Sequence, residues 1–279
     1  MTSRNPSGVF VTRTYDHSVD LFVRESGPVG PPAIVFLHGG EHSGRSWQPV
    51  VERMQHYRCL VPDLPQHGES VQPGPFEIGA AAAAVAGVIR ARLGTARVHV
   101  VGHSLGAQVG AQLLATAPEV VDRTVLCGTI INALPSPRLT APLLGLVAWI
   151  SRSVTLRRNA RPVAVPSVMT DDYREDVRLM PAAQIAHLVE ASARFTFPEG
   201  LDKSESPTLF LAGSKEMRLI HRSAAALARR MPNAVDGVAI DMDHDWPLLC
   251  PDLFCRTVDG WLSGTALPSE IALSNLGRR

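Results

Sequence analysis

The chain has 279 residues, of which 45% are apolar and 19% are charged, and its formal net charge is +1. A chain of this length can bury one large core, or one core that carries an inserted subdomain. A charge so close to neutral excludes a strong single-sign field of the kind that holds nucleic acid or an anionic membrane. We therefore expect no nucleic-acid or membrane partner, and the oligomeric state stays open, with a homodimer as one alternative.

Cysteine usage and the N-terminus indicate a cytoplasmic protein. The spacing of the four cysteines fits neither a disulfide scaffold nor a metal site. Residues 1–10 lack the apolar run of a signal peptide, and the longest apolar stretch, residues 139–150, is far shorter than the ~20 residues that cross a bilayer. We predict free thiols, no metal ion and no membrane span.

Short apolar runs alternate with helical stretches along most of the chain. The runs that suit strands are residues 9–11 and 19–23, which form an N-terminal hairpin, then 33–37, 59–62, 98–101, 124–127, 208–212 and 238–240. The helical stretches are residues 47–55, 78–93, 107–117, 223–231 and roughly 248–262. Because strands that alternate with such helices are joined by right-handed crossovers, the pattern predicts an α/β fold with a mostly parallel sheet covered on both faces.

Residues 134–198 interrupt this alternation. The segment has no evident core strand, contains several prolines, and is longer than a connection inside a compact sheet needs. We predict a helical cap at residues 134–198, inserted into a core domain made of residues 1–133 and 199–279. The apolar run around Trp149 suits cap–core packing or a pocket wall, and the basic run after it is more typical of a solvated face than of a contact with a substrate carboxylate. The polar tail after Leu267 is expected to be loosely ordered.

The most informative stretch is residues 98–114, in which an apolar strand runs into GHSLG (102–106) and a helix follows directly. This is the G-x-S-x-G nucleophile elbow in its required strand–turn–helix context. The turn strains the serine backbone between strand and helix, so that only small residues fit two positions to either side. The start of a helix also offers free N–H groups that favour developing negative charge. The pattern predicts Ser104 as a nucleophile; the alternative is a glycine-rich turn in which the serine caps a helix.

Three segments resemble those of the α/β-hydrolase superfamily, particularly of its esterase and carbon–carbon-bond hydrolase branches. They are LHGGEHSGRSW (37–47), LVPDLPQHGES (60–70) and VVGHSLGAQ (100–108). The resemblance spans roughly residues 8–264, with the predicted cap as the divergent part. It implies a central sheet of about eight strands and a catalytic triad in the chain order Ser, acid, His.

The resemblance also implies an oxyanion hole. On this fold, one N–H donor comes from the loop after the strand at residues 33–37, and the other comes from the residue after the nucleophile. Those donors are predicted to be Gly40 and Leu105. Neighbouring side chains and the cap supply our tentative substrate contacts, which are His38, Gly39, Trp47, His103 and Trp149. For Trp47, an equally good interpretation is packing against the helix that follows.

A serine needs a neighbouring base to remove its proton. Among the ten histidines, His244 follows the last predicted strand and precedes a helix, which is the place of the catalytic histidine in the family. The sequence departs from the frequent G-x-G-H pattern, because residues 241–243 read DMD. We predict His244 as the general base.

The third triad member orients the imidazole. The family usually places an aspartate after the strand that follows the cap, and here Glu216 stands three residues after the glycine that ends that strand. The stretch after residues 124–127, where some members carry the acid, contains no carboxylate. We predict Glu216 as the acid, with Asp243 or Asp245 as minor alternatives and a solvated loop carboxylate as the non-catalytic interpretation.

These residues favour acyl transfer on a small-molecule substrate without a cofactor. The first hypothesis is a hydrolase of small to medium apolar carboxylic esters or lactones. The second is a carbon–carbon-bond hydrolase or lyase that uses the same triad. The third is a ligand-binding receptor on the same fold with little turnover. Arginines aimed into the pocket would favour the second hypothesis, and binding without ester turnover would favour the third.

Overall fold

The computed structural model describes residues 2–4, 10–16, 21–30, 32–71, 74–131 and 170–274. Trp149, the apolar run around it and the basic run that follows lie outside the described residues, as does the first part of the predicted cap. The division of the chain into a core and a cap at residues 134–198 stays a prediction.

One twisted sheet organises the described part of the chain. Its strands are β1 (Thr2–Arg4), β2 (Phe10–Asp16), β3 (Leu21–Ser26), β4 (Ala33–Leu37), β5 (Arg58–Pro62), β6 (Val98–His103), β7 (Val121–Cys127), β8 (Thr208–Gly213), β9 (Ala234–Ala239) and β10 (Ile271–Leu273). They lie in the order β1-β2-β3-β5-β4-β6-β7-β8-β9-β10. Strands β5, β4, β6, β7, β8 and β9 are parallel, whereas β1, β2 and β3 at one edge and β10 at the other are antiparallel to their neighbours.

Helices cover both faces of this sheet. They are α1 (Gln48–Val51), α2 (Ile78–Leu93), α3 (Leu105–Thr116), α4 (Thr170–Leu179), α5 (Ala182–Arg194), α6 (Arg218–Arg230), α7 (Trp246–Leu249) and α8 (Pro251–Ser263). Within the described residues, none of them combines the length and the apolar character that a bilayer crossing needs. The structure confirms the predicted fold class, a mostly parallel sheet between two layers of helices.

Two hydrophobic clusters form the core. Strand β4 contributes side chains to both, because side chains alternate between the two faces along a strand. Val35 and Leu37 belong to the cluster under α2, α3 and α6. Ile34 and Phe36 belong to the cluster under α1, α7 and α8. All four side chains are fully buried, which explains why this strand is apolar at every position.

Several predicted elements have different bounds in the structure. The helix expected at residues 47–55 is reduced to a 3₁₀ turn (Gly44–Trp47) and the short α1. The last helix is broken at Cys250, because Pro251 has no backbone N–H to donate and starts α8 instead. The expectation of a loosely ordered tail is wrong for β10, which pairs with β9 after Leu267.

The four cysteines form no disulfide. Cys59, Cys127 and Cys255 are buried, and Cys250 is partly exposed. Burial raises the pKa of the Cys127 thiol well above its usual value, so this thiol stays protonated beneath the candidate site.

Candidate active site

Ser104 stands at the sharp turn between β6 and α3. Its backbone has φ +53° and ψ −113°, a conformation that costs a non-glycine residue roughly 1–3 kcal/mol. Its N–H donates to the carbonyl oxygen of Cys127 at 2.8 Å, and its carbonyl oxygen accepts from Ala107 at 3.0 Å. The turn is thus held from the neighbouring strand and from the helix, and the serine side chain is left free for chemistry.

The flanking glycines have the role that the motif predicts. A Cβ on Gly102 would lie 2.6 Å from the carbonyl oxygen of Gly106, and a Cβ on Gly106 would collide with the carbonyl oxygen of Leu37. Strand β4, strand β6 and helix α3 approach too closely for any side chain there.

The structure brings His244 to Ser104, although the two lie 140 residues apart. The loop between β9 and α7 holds the imidazole so that its Nε2 lies 3.0 Å from Oγ of Ser104. Its Nδ1 donates to Oε1 of Glu216. The predicted nucleophile, base and acid therefore form one continuous chain of hydrogen bonds.

Glu216 is buried, its side chain being 2% exposed. Its second carboxylate oxygen accepts from the N–H of Gly213 at 2.6 Å, so that both oxygens have partners. Neither Asp243 nor Asp245 takes its place at Nδ1 of His244. The side chain of Asp245 instead lies 3.8 Å from Nε2 of His103.

Two opposing effects set the protonation of His244. Burial lowers the pKa of its imidazole, but the hydrogen bond and charge of Glu216, with Asp245 and Asp243 nearby, outweigh burial and raise that pKa above its usual value. The site therefore stabilises an imidazolium, which is the species that forms when the base takes the serine proton.

Gly128, at the end of β7, is a site residue that the sequence analysis missed. Its φ is +69°, and a Cβ there would lie 2.6 Å from Cε1 of His244. Glycine is thus required both by the backbone conformation and by the imidazole. The available signal was a glycine directly after a strand, but its neighbour in space is 116 residues away, so local pattern does not reveal it.

A cavity of about 380 Å³ opens at the serine. Gly40, Ser104 and Leu105 lie in its wall, which brings the two predicted oxyanion donors to the nucleophile. Leu105 is the first residue of α3, where N–H groups have no partner within the helix. The other described residues of the wall are largely apolar: Glu41, Ile130, Ile185, Leu188, Val189, Ser192, Ala193, Met217 and Leu219. Glu41 and Ser192 are the exceptions, and neither was singled out from the sequence.

The tentative substrate contacts that the structure describes are not among the described residues of this cavity's wall. Trp47 is fully buried, packs on Phe36 and Phe254, and does not line this cavity. The side chain therefore has a packing role, and its ring contacts are with strand β4 and helix α8. Trp149 lies outside the described residues.

The two histidines beside the nucleophile support backbone rather than substrate. Nδ1 of His38 donates to the carbonyl oxygen of Gly39 at 2.8 Å, and its Nε2 accepts from the N–H of Leu64 at 2.9 Å. Nε2 of His103 lies 3.0 Å from the carbonyl oxygen of His244. Burial holds the pKa of both imidazoles well below the usual value, so both stay neutral. Gly39 packs beneath Ser104, and a Cβ there would be 3.6 Å from that of the serine.

His103, His244 and Asp245 are the described residues whose ligand atoms are close enough to share a metal ion, all within 4.8 Å. However, both ring nitrogens of His244 already contact Ser104 and Glu216. The arrangement therefore suits proton transfer from a serine better than metal coordination.

Comparisons with known proteins agree with this fold. The family model described as alpha/beta hydrolase fold matches residues 32–167. An AB hydrolase superfamily protein of Gibberella zeae is 31% identical over 147 residues, which cover 52% of this chain and 51% of that protein. Lipase LipV of Mycobacterium tuberculosis is 35% identical over 108 residues, 39% of this chain and 41% of the lipase. The matched region thus spans about half the length of these relatives or less.

A solved structure covers more of the chain. The enol-lactonase from Burkholderia xenovorans LB400 superposes with a TM-score of 0.68 at 21% identity, covering 90% of this chain and 100% of that chain. At this identity the likeness shows the fold alone. Together, the family match over residues 32–167, the superposition and the elbow on its parallel sheet show that the chain has the α/β-hydrolase fold.

Proposed function

We propose that this protein is a serine hydrolase that cleaves small to medium apolar carboxylic esters or lactones by acyl transfer. The observation that carries the proposal is the hydrogen-bond chain from Ser104 through His244 to Glu216, at the wall of an apolar cavity. A partly exposed serine with a base and a buried acid in line is the arrangement that activates a hydroxyl for attack on a carbonyl.

In the first half of the reaction, Nε2 of His244 takes the hydroxyl proton as Oγ of Ser104 bonds to the carbonyl carbon. The negative charge moves to the carbonyl oxygen, where the N–H groups of Gly40 and Leu105 stabilise it. The carbonyl then re-forms, the bond to the alcohol oxygen breaks, and that oxygen takes the proton from His244. The acyl group is left on Ser104.

In the second half, His244 removes a proton from water, and the hydroxide oxygen adds to the acyl carbon. Collapse of this second intermediate breaks the bond to Oγ, which recovers its proton from His244, and the carboxylic acid leaves. Throughout, Glu216 accepts Nδ1–H, which keeps Nε2 free as the base and stabilises the imidazolium.

The residues of the cavity wall favour binding of neutral, apolar acyl or alcohol groups. Leu188, Ile185 and Leu219 offer apolar surface, and Glu41 adds a carboxylate that would repel an anionic substrate group. Lipase LipV and the enol-lactonase act, by their names, on esters in open and ring form, which is consistent with this class. No arginine is among the described residues of the wall, so the wall gives less support to a carboxylate-bearing substrate for carbon–carbon cleavage.

The test is turnover of p-nitrophenyl acetate, butyrate and octanoate, combined with labelling by a fluorophosphonate. We expect labelling of the wild type, its loss in Ser104→Ala, and its retention in Ser263→Ala, which changes an exposed serine at the end of α8. Loss of the nucleophile should lower turnover by roughly 10⁴- to 10⁶-fold. Unlabelled wild-type protein that binds ligands without turning them over would instead support a receptor, and cleavage of vinylogous diketones but not of esters would support carbon–carbon hydrolysis.

A further inference from the structure

Helix α4 contacts three successive residues of the loop that follows β4. The hydroxyl of Tyr173 donates to Oε2 of Glu41 at 3.4 Å, and the ring centroid of Tyr173 lies 4.9 Å from that of His42. Asp176 accepts from Ser43 twice through Oδ2, from the N–H at 2.9 Å and from Oγ at 2.7 Å. The same loop contains Gly40, which lies in the cavity wall.

The loop needs such support because its backbone is strained. Glu41, directly after Gly40, has φ +60°, a left-handed conformation that costs a residue with a Cβ about 1–2 kcal/mol. Strain of this kind persists only where surrounding contacts hold the backbone in place, and it is concentrated at functional sites. Here the contacts that follow the strained residue come from α4.

The core also holds the loop, at its start through His38 and at its far end through Gly44. The N–H of Gly44 donates to Oδ1 of Asp63 at 2.7 Å, and Asp63 is itself paired with Arg24. The preceding N–H, that of Ser43, donates to Asp176 instead. Two carboxylates therefore bind two consecutive N–H groups of the loop. Asp63 belongs to the core, directly after β5, whereas Asp176 belongs to α4, which lies between β7 and β8 in the chain.

The burial of Asp176 at this position costs free energy of folding. It is 5% exposed, and its Oδ1 is buried without a hydrogen-bond partner among the described residues. Burial raises the pKa of this carboxyl to about 6, although its hydrogen bonds to Ser43 and the nearby Arg45 oppose the shift. A half-satisfied buried carboxylate is destabilising for the fold, so its contribution is better sought in the loop that it holds.

We propose that Asp176 is a positioning residue for the oxyanion hole: by binding both donors of Ser43, it fixes the loop so that the N–H of Gly40 faces the reacting carbonyl oxygen. The inference rests on the proposed function, because it gives the N–H of Gly40 that role. It means that the core supplies nucleophile, base and acid, whereas α4, in the predicted cap, completes the electrostatic part of the site.

The test is the kinetics of fluorophosphonate labelling, which yield the rate constant of phosphonylation (kinact) and the affinity for the probe (KI) separately. We compare the wild type with Asp176→Ala, Asp176→Asn and Ser43→Ala. The matched control is Glu175→Ala, which truncates a carboxylate of the same helix that pairs with Arg178 at the surface. Because kinact refers to the competent molecules alone, a loss of folded protein does not mimic the effect.

We expect Asp176→Ala to lower kinact by roughly ten- to hundredfold, less than the 10²–10³ that removal of a whole oxyanion donor costs, with KI little changed. Asp176→Asn keeps an acceptor oxygen and should recover most of the rate. Ser43→Ala, which retains the N–H donor, should lower kinact less, and its effect should not add to that of Asp176→Ala. Glu175→Ala should match the wild type.

Wild-type kinact in Asp176→Ala would overturn the inference, as would a change confined to KI, which would mean that Asp176 shapes only the cavity entrance. If Asp176→Ala does not fold, Ser43→Ala decides by the same criterion. Labelling that is lost in Ser104→Ala but normal in Asp176→Ala would overturn this inference and leave the proposed function intact. A wild type that resists labelling would overturn both.

Discussion

Glu216 binds His244 with one carboxylate oxygen and the backbone N–H of Gly213, three residues earlier, with the other at 2.6 Å. The longer side chain of glutamate is thus folded back onto its own loop. The backbone N–H of Glu216 also donates to the carbonyl oxygen of Gly213, at 3.0 Å. This loop geometry explains how a glutamate can stand where the family usually has an aspartate. The hydrogen bond to Gly213 restricts the rotation of the glutamate side chain and keeps its carboxylate next to the imidazole.

Replacement of Glu216 by Gln should therefore be severe. Both oxygens of Glu216 accept N–H groups, from His244 and from Gly213, whereas an amide has only one acceptor oxygen. With the oxygen on the N–H of Gly213, the NH₂ group faces Nδ1, so the imidazole changes tautomer and Nε2 no longer serves as the base. We expect kcat for a p-nitrophenyl ester to fall by roughly 10³- to 10⁴-fold, as for the aspartate of other triads, with an unchanged melting temperature as the sign of an intact fold. Near-full turnover in this variant would show that Glu216 is not the triad acid.

The pH profile should report on the same pair. His244 acts as a base only when it is neutral, and its pKa is raised above the usual 6.5 because Glu216, Asp245 and Asp243 outweigh burial. Activity should therefore rise with pH, and kcat/KM should reach half its maximum above pH 6.5. Asp245→Asn removes one of the raising charges, so its half-maximum should move to lower pH. An inflection below 6.5, or one that Asp245→Asn moves upward, would contradict this account of the charges.

Local patterns predicted some parts of this site and could not predict others. The elbow at Ser104 is encoded within five residues and its flanking strand and helix, so sequence alone suffices. His244 needed the family resemblance, since nothing local relates it to a serine 140 residues away. The environment of Trp47 was undecidable for the same reason: its neighbour Phe254 comes from the far end of the chain.

The contact between Gly128 and His244, which are far apart in the chain, can be tested by substitution. Gly128→Ala would place a Cβ 2.6 Å from Cε1 of His244 at a φ of +69°, so the imidazole must move away from Ser104 or Glu216. We expect kcat to fall by roughly 10²-fold, because small misplacements of catalytic groups cost about that much. The left-handed backbone should cost a further ~1 kcal/mol of stability.

The matched control is Gly94→Ala. Gly94 has a similar φ of +63°, but a Cβ there meets nothing within 4 Å. Its ψ is −118°, so alanine there is strained by the backbone alone, and this variant should lose stability in urea with normal kcat. Equal kinetics in the two variants would mean that the contact with the imidazole has no catalytic consequence.

The charge of Glu41 provides a prediction about substrate choice. Its carboxylate is the charged group among the described residues of the cavity wall, next to the proposed oxyanion donor Gly40. An ester whose acyl chain ends in a carboxylate should therefore react more slowly than a neutral ester of equal length. With a repulsion of ~1–2 kcal/mol across a partly solvated cavity, the difference in kcat/KM should be roughly tenfold.

Glu41→Gln keeps the shape of the side chain and removes the charge, so it should abolish most of that difference. The comparison is p-nitrophenyl hemisuccinate against p-nitrophenyl butyrate, each measured for both proteins at low and at high salt. Discrimination by charge should weaken as salt screens the repulsion, whereas discrimination by shape should not. If the variant disfavours the hemisuccinate as strongly as the wild type does, the selectivity comes from another part of the cavity and not from Glu41.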